Sequence, residues 1–219
     1  MDVQDLLAAI ESHLAAELGD RVAAQALADA LGEDALAWRA PRIEAAQIDT
    51  IMAFTFGNRM LPNGNRAPGP VNEALADIAV QLHRHRGAPI YAQWEVAEAI
   101  GARVPPERLT AIYPGRDERA EPVYLSTSGV VSAIVAMQAN QRALGVVGVV
   151  AFADHLWRCV ATVRRFGLDA YAPDGVAMPR EYDVQSGQPW CRSRLAYLMH
   201  DIMIRASERR ARLIGSAPC

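Results

Sequence analysis

The chain has 219 residues, 51% of them hydrophobic and 21% charged, enough apolar surface for one good-sized domain with a core. That excludes a disordered tail, a coiled coil and a collagen-like repeat. The formal net charge of −3 gives no global positive field for nucleic acid.

All 22 basic residues are arginine, which a GC-rich coding bias explains without any function. Cys159, Cys191 and Cys219 are odd in number and show no CxxC spacing, so neither a disulfide framework nor a zinc site is expected. The N-terminus carries acids where a secretory signal needs a basic start. The longest apolar run, Val146 to Ala153, is far short of the roughly 20 residues of a membrane helix. A soluble protein of the reducing cytoplasm is the expectation, with no membrane and no nucleic-acid partner.

Residues 2 to 38 read as helix, with Leu6, Leu7, Ile10, Leu14 and Leu18 at helical spacing up to Gly19. A second helix runs from Val22 to Leu31. After Pro41 the texture changes. Asp49 to Gly57 (DTIMAFTFG) reads as a buried strand, and Asn58 to Pro70 as a long loop. Val71 to His85 is an amphipathic helix, and Ala88 to Trp94 a second strand. Glu95 to Ile100 forms a short helix before a Pro/Arg-rich connection through Arg119. Ser126 to Leu144 is the next helix, and Val146 to Phe152 the clearest strand. A helix from Asp154 to Gly167, a strand from Asp169 to Ala172 and a helix from Arg192 to Leu213 complete the chain. Strands alternating with helices imply parallel βαβ units and a sheet covered on both faces.

Ligands of such sheets bind beyond the carboxyl ends of the strands, near a topological switch point. Four segments meet that rule. The loop after the first strand carries Gly57, Asn58, Arg59, Asn63, Gly64 and Asn65, whose backbone and side chains could take a phosphate or carboxylate; as a bare surface loop it would do nothing. It matches neither GxxxxGK[ST] nor GxGxxG. Ser126, Thr127 and Ser128 open a helix, where one hydroxyl caps and the remaining N–H groups suit an anion. Asp154, His155 and Arg158 follow the clearest strand; His155 could serve as acid or base and Arg158 as anion clamp, with Asp154 beside them or simply as N-cap. Glu95, after the second strand, could hold a ribose or an amine, or merely face solvent. His83 and His85, two apart on a helix, do not share a face and are not read as metal ligands. No metal site is expected.

The order of these segments resembles the YdcF / SanA / ElyC family. The family's glycine-ending strand, loop and helix look like DTIMAFTFGNRMLPNGNRAPGPVNEALADIAVQLHRHRGAP here. Its second strand and "GVP-x-E-x-I" stretch look like IYAQWEVAEAIGARVPPERLTAIYP, and its hydroxyl-bearing helix start like VYLSTSGVVSAIVAMQ. The strongest segment is VVGVVAFADHLWRCVATVRRFGLDAY, which matches the family's His-x-x-Arg helix and "GL-x-V" strand at His155, Arg158, Gly167 and Leu168. The likeness spans roughly residues 48 to 212. Asn72-Glu73 stands where the family carries an arginine, and Gln93-Trp94-Glu95 where it carries glycines.

The resemblance implies an α/β fold, a Rossmann-like three-layer α/β/α arrangement with a mostly parallel sheet. Residues 1–40 would be an N-terminal helical segment packed on it, and 41–219 the α/β domain. It further implies a small-molecule ligand, S-adenosylmethionine first, and a transferase activity. Two other readings stand beside it. One is a non-catalytic interaction protein whose N-terminal helices dock a partner or a second copy to form a homodimer. The other is a hydrolase or transferase acting on a phosphorylated or sugar-linked metabolite.

Overall fold

A computed structural model describes residues 2–115, 125–138 and 144–215. In chain order the elements are α1 (Val3–Leu18), α2 (Arg21–Leu31), β1 (Arg42–Ile43), β2 (Thr50–Ala53), β3 (Arg59–Met60), β4 (Arg66–Ala67) and α3 (Pro70–Arg86). There follow β5 (Ile90–Gln93), α4 (Trp94–Ile100), β6 (Leu109–Ile112), α5 (Thr127–Gln138), β7 (Val147–Val150), α6 (Leu156–Arg165), β8 (Ala170–Pro173) and α7 (Arg194–Gly215). They form two compact units, residues 1–38 with 198–219 and residues 39–197. α7 is therefore divided between the units.

In the smaller unit, Asp2 and Asp5 form a capping box at the start of α1, each carboxylate accepting the other residue's backbone N–H. Asp20 caps α2 with a single bond, its carboxylate accepting from the Ala23 N–H. Ala24 and Ala28 are buried, so the alanine-rich hairpin packs closely through small residues. The later part of α7 carries a buried ion pair, Asp201 with Arg205 at 2.6 Å. The Arg205 guanidinium lies 4.3 Å over the Trp38 ring. Arg209 donates to both Asp34 and Glu33, and these carboxylates hold its pKa above the usual arginine value.

The larger unit is built on a six-stranded sheet in the order β1-β8-β7-β2-β5-β6, all parallel. With flanking helices this is a three-layer, Rossmann-like α/β fold. All four residues of β2 and all four of β7 are buried, which is why both read as unbroken apolar runs. Met52 of β2 lies between Tyr91 of β5 and Val149 of β7. α3 packs beside α4, and α5 beside α6. From β2 the chain runs outward to β5 and β6, then returns to β7 on the other side of β2 and continues to β8. The direction of winding thus changes between β2 and β7, and the crevice beyond their carboxyl ends is the switch point.

Three elements differ from the sequence reading. The Asn58–Pro70 loop contains a tight antiparallel hairpin, β3 with β4. β6 lies inside the Pro/Arg-rich connection, and β1 is added at the far edge. The helix expected to reach Leu144 is described to Gln138; its residues 139–143, like residues 116–124 and Cys219, lie outside the described residues.

Candidate functional site

The first lip of the crevice is the turn after β2. Gly57 has φ +71°, and a Cβ there would lie 2.4 Å from Ser186 Oγ, so backbone shape and space both demand glycine. The turn is fixed by Asn72 in α3, a fully buried side chain. Its Oδ1 accepts from the Phe56 N–H at 2.9 Å and the Thr55 hydroxyl at 2.8 Å, while Nδ2 donates to the carbonyls of Gly57 and Pro68. All of its hydrogen-bonding capacity goes into holding the loop. Asn72 is therefore the residue that presents Gly57 and Asn58.

Next to this turn, in the first turn of α4 just past β5, stands Glu95. It is 3% exposed, and its Oε2 is buried without a hydrogen-bond partner. Burial pushes the carboxyl up to about 7, against the pull of its own backbone N–H, the Asn58 and Thr55 side chains and the charge of Arg66. A buried, half-satisfied carboxyl that titrates near neutrality is costly to keep, and such groups gather where chemistry or binding uses them. The sequence placed Glu95 among candidates but also allowed it to face solvent; it does not.

The second lip follows β7. Asp154 accepts from the Tyr182 hydroxyl at 2.8 Å and takes both arms of Arg194, at 2.9 and 3.1 Å. It is an anchor for residues far along the chain. His155 is 5% exposed, its ring centroid 5.9 Å from that of Tyr197 and 6.4 Å from that of Phe56. Arg158 is also buried, donating to Thr127 Oγ1 at 3.1 Å and to the Tyr197 hydroxyl at 3.4 Å. Three of the sequence-derived candidates, His155, Arg158 and Thr127, are thus drawn into one buried cluster.

Between the lips the crevice holds rings. Phe56 stacks on Phe152 with centroids 3.9 Å apart, and Tyr182 and Tyr197 meet Phe56 edge-on. Cys191 is buried beside them, and burial pushes its thiol up to about 12 despite the nearby Arg158 and the Gly57 N–H.

Other candidates serve elsewhere. Asn63, Gly64 and Asn65 form the exposed hairpin tip, where Asn63 Oδ1 accepts from the Asn65 N–H. Ser126 is exposed and caps α5 by accepting from the Gly129 N–H; Ser128 is half-buried in its first turn. Arg59 is paired with Asp183 through two bonds, 2.8 and 2.9 Å. Asn72, Tyr182, Asp183, Cys191 and Tyr197 were not among the sequence-derived candidates. A buried polar residue on the apolar face of a helix was a readable signal for Asn72; Tyr182, Asp183 and Cys191 come from a connection with no periodicity, and Tyr197 from the first turn of α7.

Among the described residues, no group of three or more His, Cys, Asp or Glu side chains is placed to hold a metal ion. No described helix is long and apolar enough to cross a membrane. In comparisons with protein-family models, with curated proteins and with solved structures, no match to this chain was found.

Proposed function

We propose that this chain binds a small polar molecule at the carboxyl edge of its sheet, beside the turn after β2, and acts on it in the cytoplasm. The observation that carries the reading is Glu95 Oε2, buried and without a partner next to Asn58. An incoming amine or ribose hydroxyl would satisfy that oxygen, and the backbone around Gly57 and Asn58 would meet the ligand's polar end. S-adenosylmethionine, which carries both donor types, is the first candidate; the likeness to the YdcF / SanA / ElyC family points the same way. Glu95, rather than the ring-enclosed His155, is the group suited to exchange a proton. A transferase is the activity this supports best.

A thermal-shift screen against adenosylmethionine, adenosylhomocysteine, nucleotides and sugar phosphates tests it. A ligand at a hundred times its dissociation constant adds about 2.7 kcal/mol, a rise of a few degrees. A shift with sugar phosphates alone would favour the phosphorylated-metabolite reading, and no shift with any compound would remove the binding reading.

A second reading is supported by the N-terminal helices. None of the 16 residues of α1 is buried. Residues 2–38 hold eight carboxylates against one arginine. Such a surface suits docking, to a partner or to a second copy. Sedimentation of the whole chain with and without Val22→Glu tests the second-copy form: a dimer dispersed by the substitution supports it, and a monomer throughout contradicts it.

A further inference from the structure

We infer that residues 180–192 are a strap, hinged on the β7 lip and latched on the β2 lip, that opens as a unit ahead of the rest of the fold. That it gates a ligand rests on the site proposed above; that it opens does not. The strap belongs to the connection from Pro173 to Arg194. Connections longer than about 12–15 residues with little regular structure are uncommon in compact domains and often act as lids.

Both feet stand on the β7 lip. The Pro179 carbonyl accepts from the Ala153 N–H at 3.0 Å, and Arg194 grips Asp154 with two bonds. Tyr182 adds its hydroxyl to the same Asp154. The free edge meets the β2 lip through different groups. Asp183 pairs with Arg59, the Gly187 N–H donates to the Asn58 carbonyl at 2.6 Å, and Ser186 and Cys191 press on Gly57.

Between feet and latch the strap is bonded to itself. The Ser186 N–H donates to the Asp183 carbonyl at 2.9 Å and the Gln185 N–H to Asp183 Oδ1 at 3.0 Å. The Gln188 N–H donates to Ser186 Oγ, and Arg192 Nε to the Ser186 carbonyl. A segment that keeps its own hydrogen bonds does not lose them on lifting. Among the described contacts, lifting gives up the part-exposed ion pair, the Gly187–Asn58 backbone bond, the packing of Ser186 and Cys191 on Gly57 and the edge contact of Tyr182 with Phe56. Part-exposed polar contacts of the first kind mark regions that open early. Lifting would uncover Gly57 and Asn58, the backbone that the binding reading needs.

Hydrogen exchange and thiol labelling of the ligand-free whole chain test this. Amides of 183–191 should exchange faster than those of β2 and β7, and iodoacetamide should label Cys191 faster than the buried Cys159. Asp183→Asn should speed both strap readouts about fivefold while β2 and β7 stay unchanged. Arg59→Gln, which breaks the same pair from the other side, should do the same, and the double variant no more. Strap amides that exchange only together with β2 and β7, or variants that speed all regions equally, would overturn the inference. No ligand enters these measurements, so a failure of the binding site and a failure of the strap are told apart.

Discussion

Asn72 Nδ2 donates to the Gly57 carbonyl at 2.8 Å, so the helix that follows the loop fixes the turn that opens it. Asn72→Ala should leave the Phe56 N–H and the Gly57 and Pro68 carbonyls without their partner and cost about 3 kcal/mol. Asn72→Asp should fare no better, because it sets a carboxylate against two carbonyls. Urea unfolding of the variants measures this; a loss under about 1 kcal/mol for Asn72→Ala would show that the clamp is dispensable.

Glu95 holds its proton more tightly in the folded chain, near 7, than at its ordinary 4.5. Protons therefore favour folding through this group. Its cost is absent below about pH 4.5, grows as pH rises toward 7, and is complete above it. Glu95→Gln should gain about 3 kcal/mol over the parent chain at pH 8 and nothing at pH 4.5. A pH-independent difference in unfolding free energy would contradict the assignment.

His155 lies among rings at 5% exposure, so its removal is a packing event as well as a chemical one. His155→Ala should lower stability by about 2–3 kcal/mol. A melting temperature left nearly unchanged in calorimetry would contradict the packing role and fit His155 as an acid or base alone.

Gly57 and Gly64 both have positive φ, +71° and +83°, but only Gly57 faces neighbours. Gly64→Ala should cost about 1 kcal/mol from backbone strain alone. Gly57→Ala should cost clearly more, because its Cβ would strike Ser186. Equal melting temperatures for the two variants would remove the steric part of the account.

The sheet was legible where burial is continuous. β2 and β7 announce themselves as apolar runs, and α3 by its periodic leucine and isoleucine face. β6 was not, because three of its four residues are only half-buried and its flanks are Pro and Arg. The β3–β4 hairpin had a signal, the Asn63-Gly64 pair, but strands of two residues carry no alternation to support it. At the candidate site, Glu95, Asn58 and Arg158 were offered by the sequence because they follow strands or begin helices. Tyr182, Asp183 and Cys191 reach the same place from far along the chain, through pairings such as Asp183 with Arg59 that no local pattern encodes.

The most direct test is equilibrium binding of S-adenosylmethionine to the parent chain and to Glu95→Ala at pH 8, with the folding of each verified by its melting curve. The account predicts saturable binding by the parent and at least about a tenfold loss in the variant, the effect of losing a charged hydrogen bond. Equal binding by both chains would remove Glu95 from the site, and no binding by the parent would contradict the assignment of this ligand.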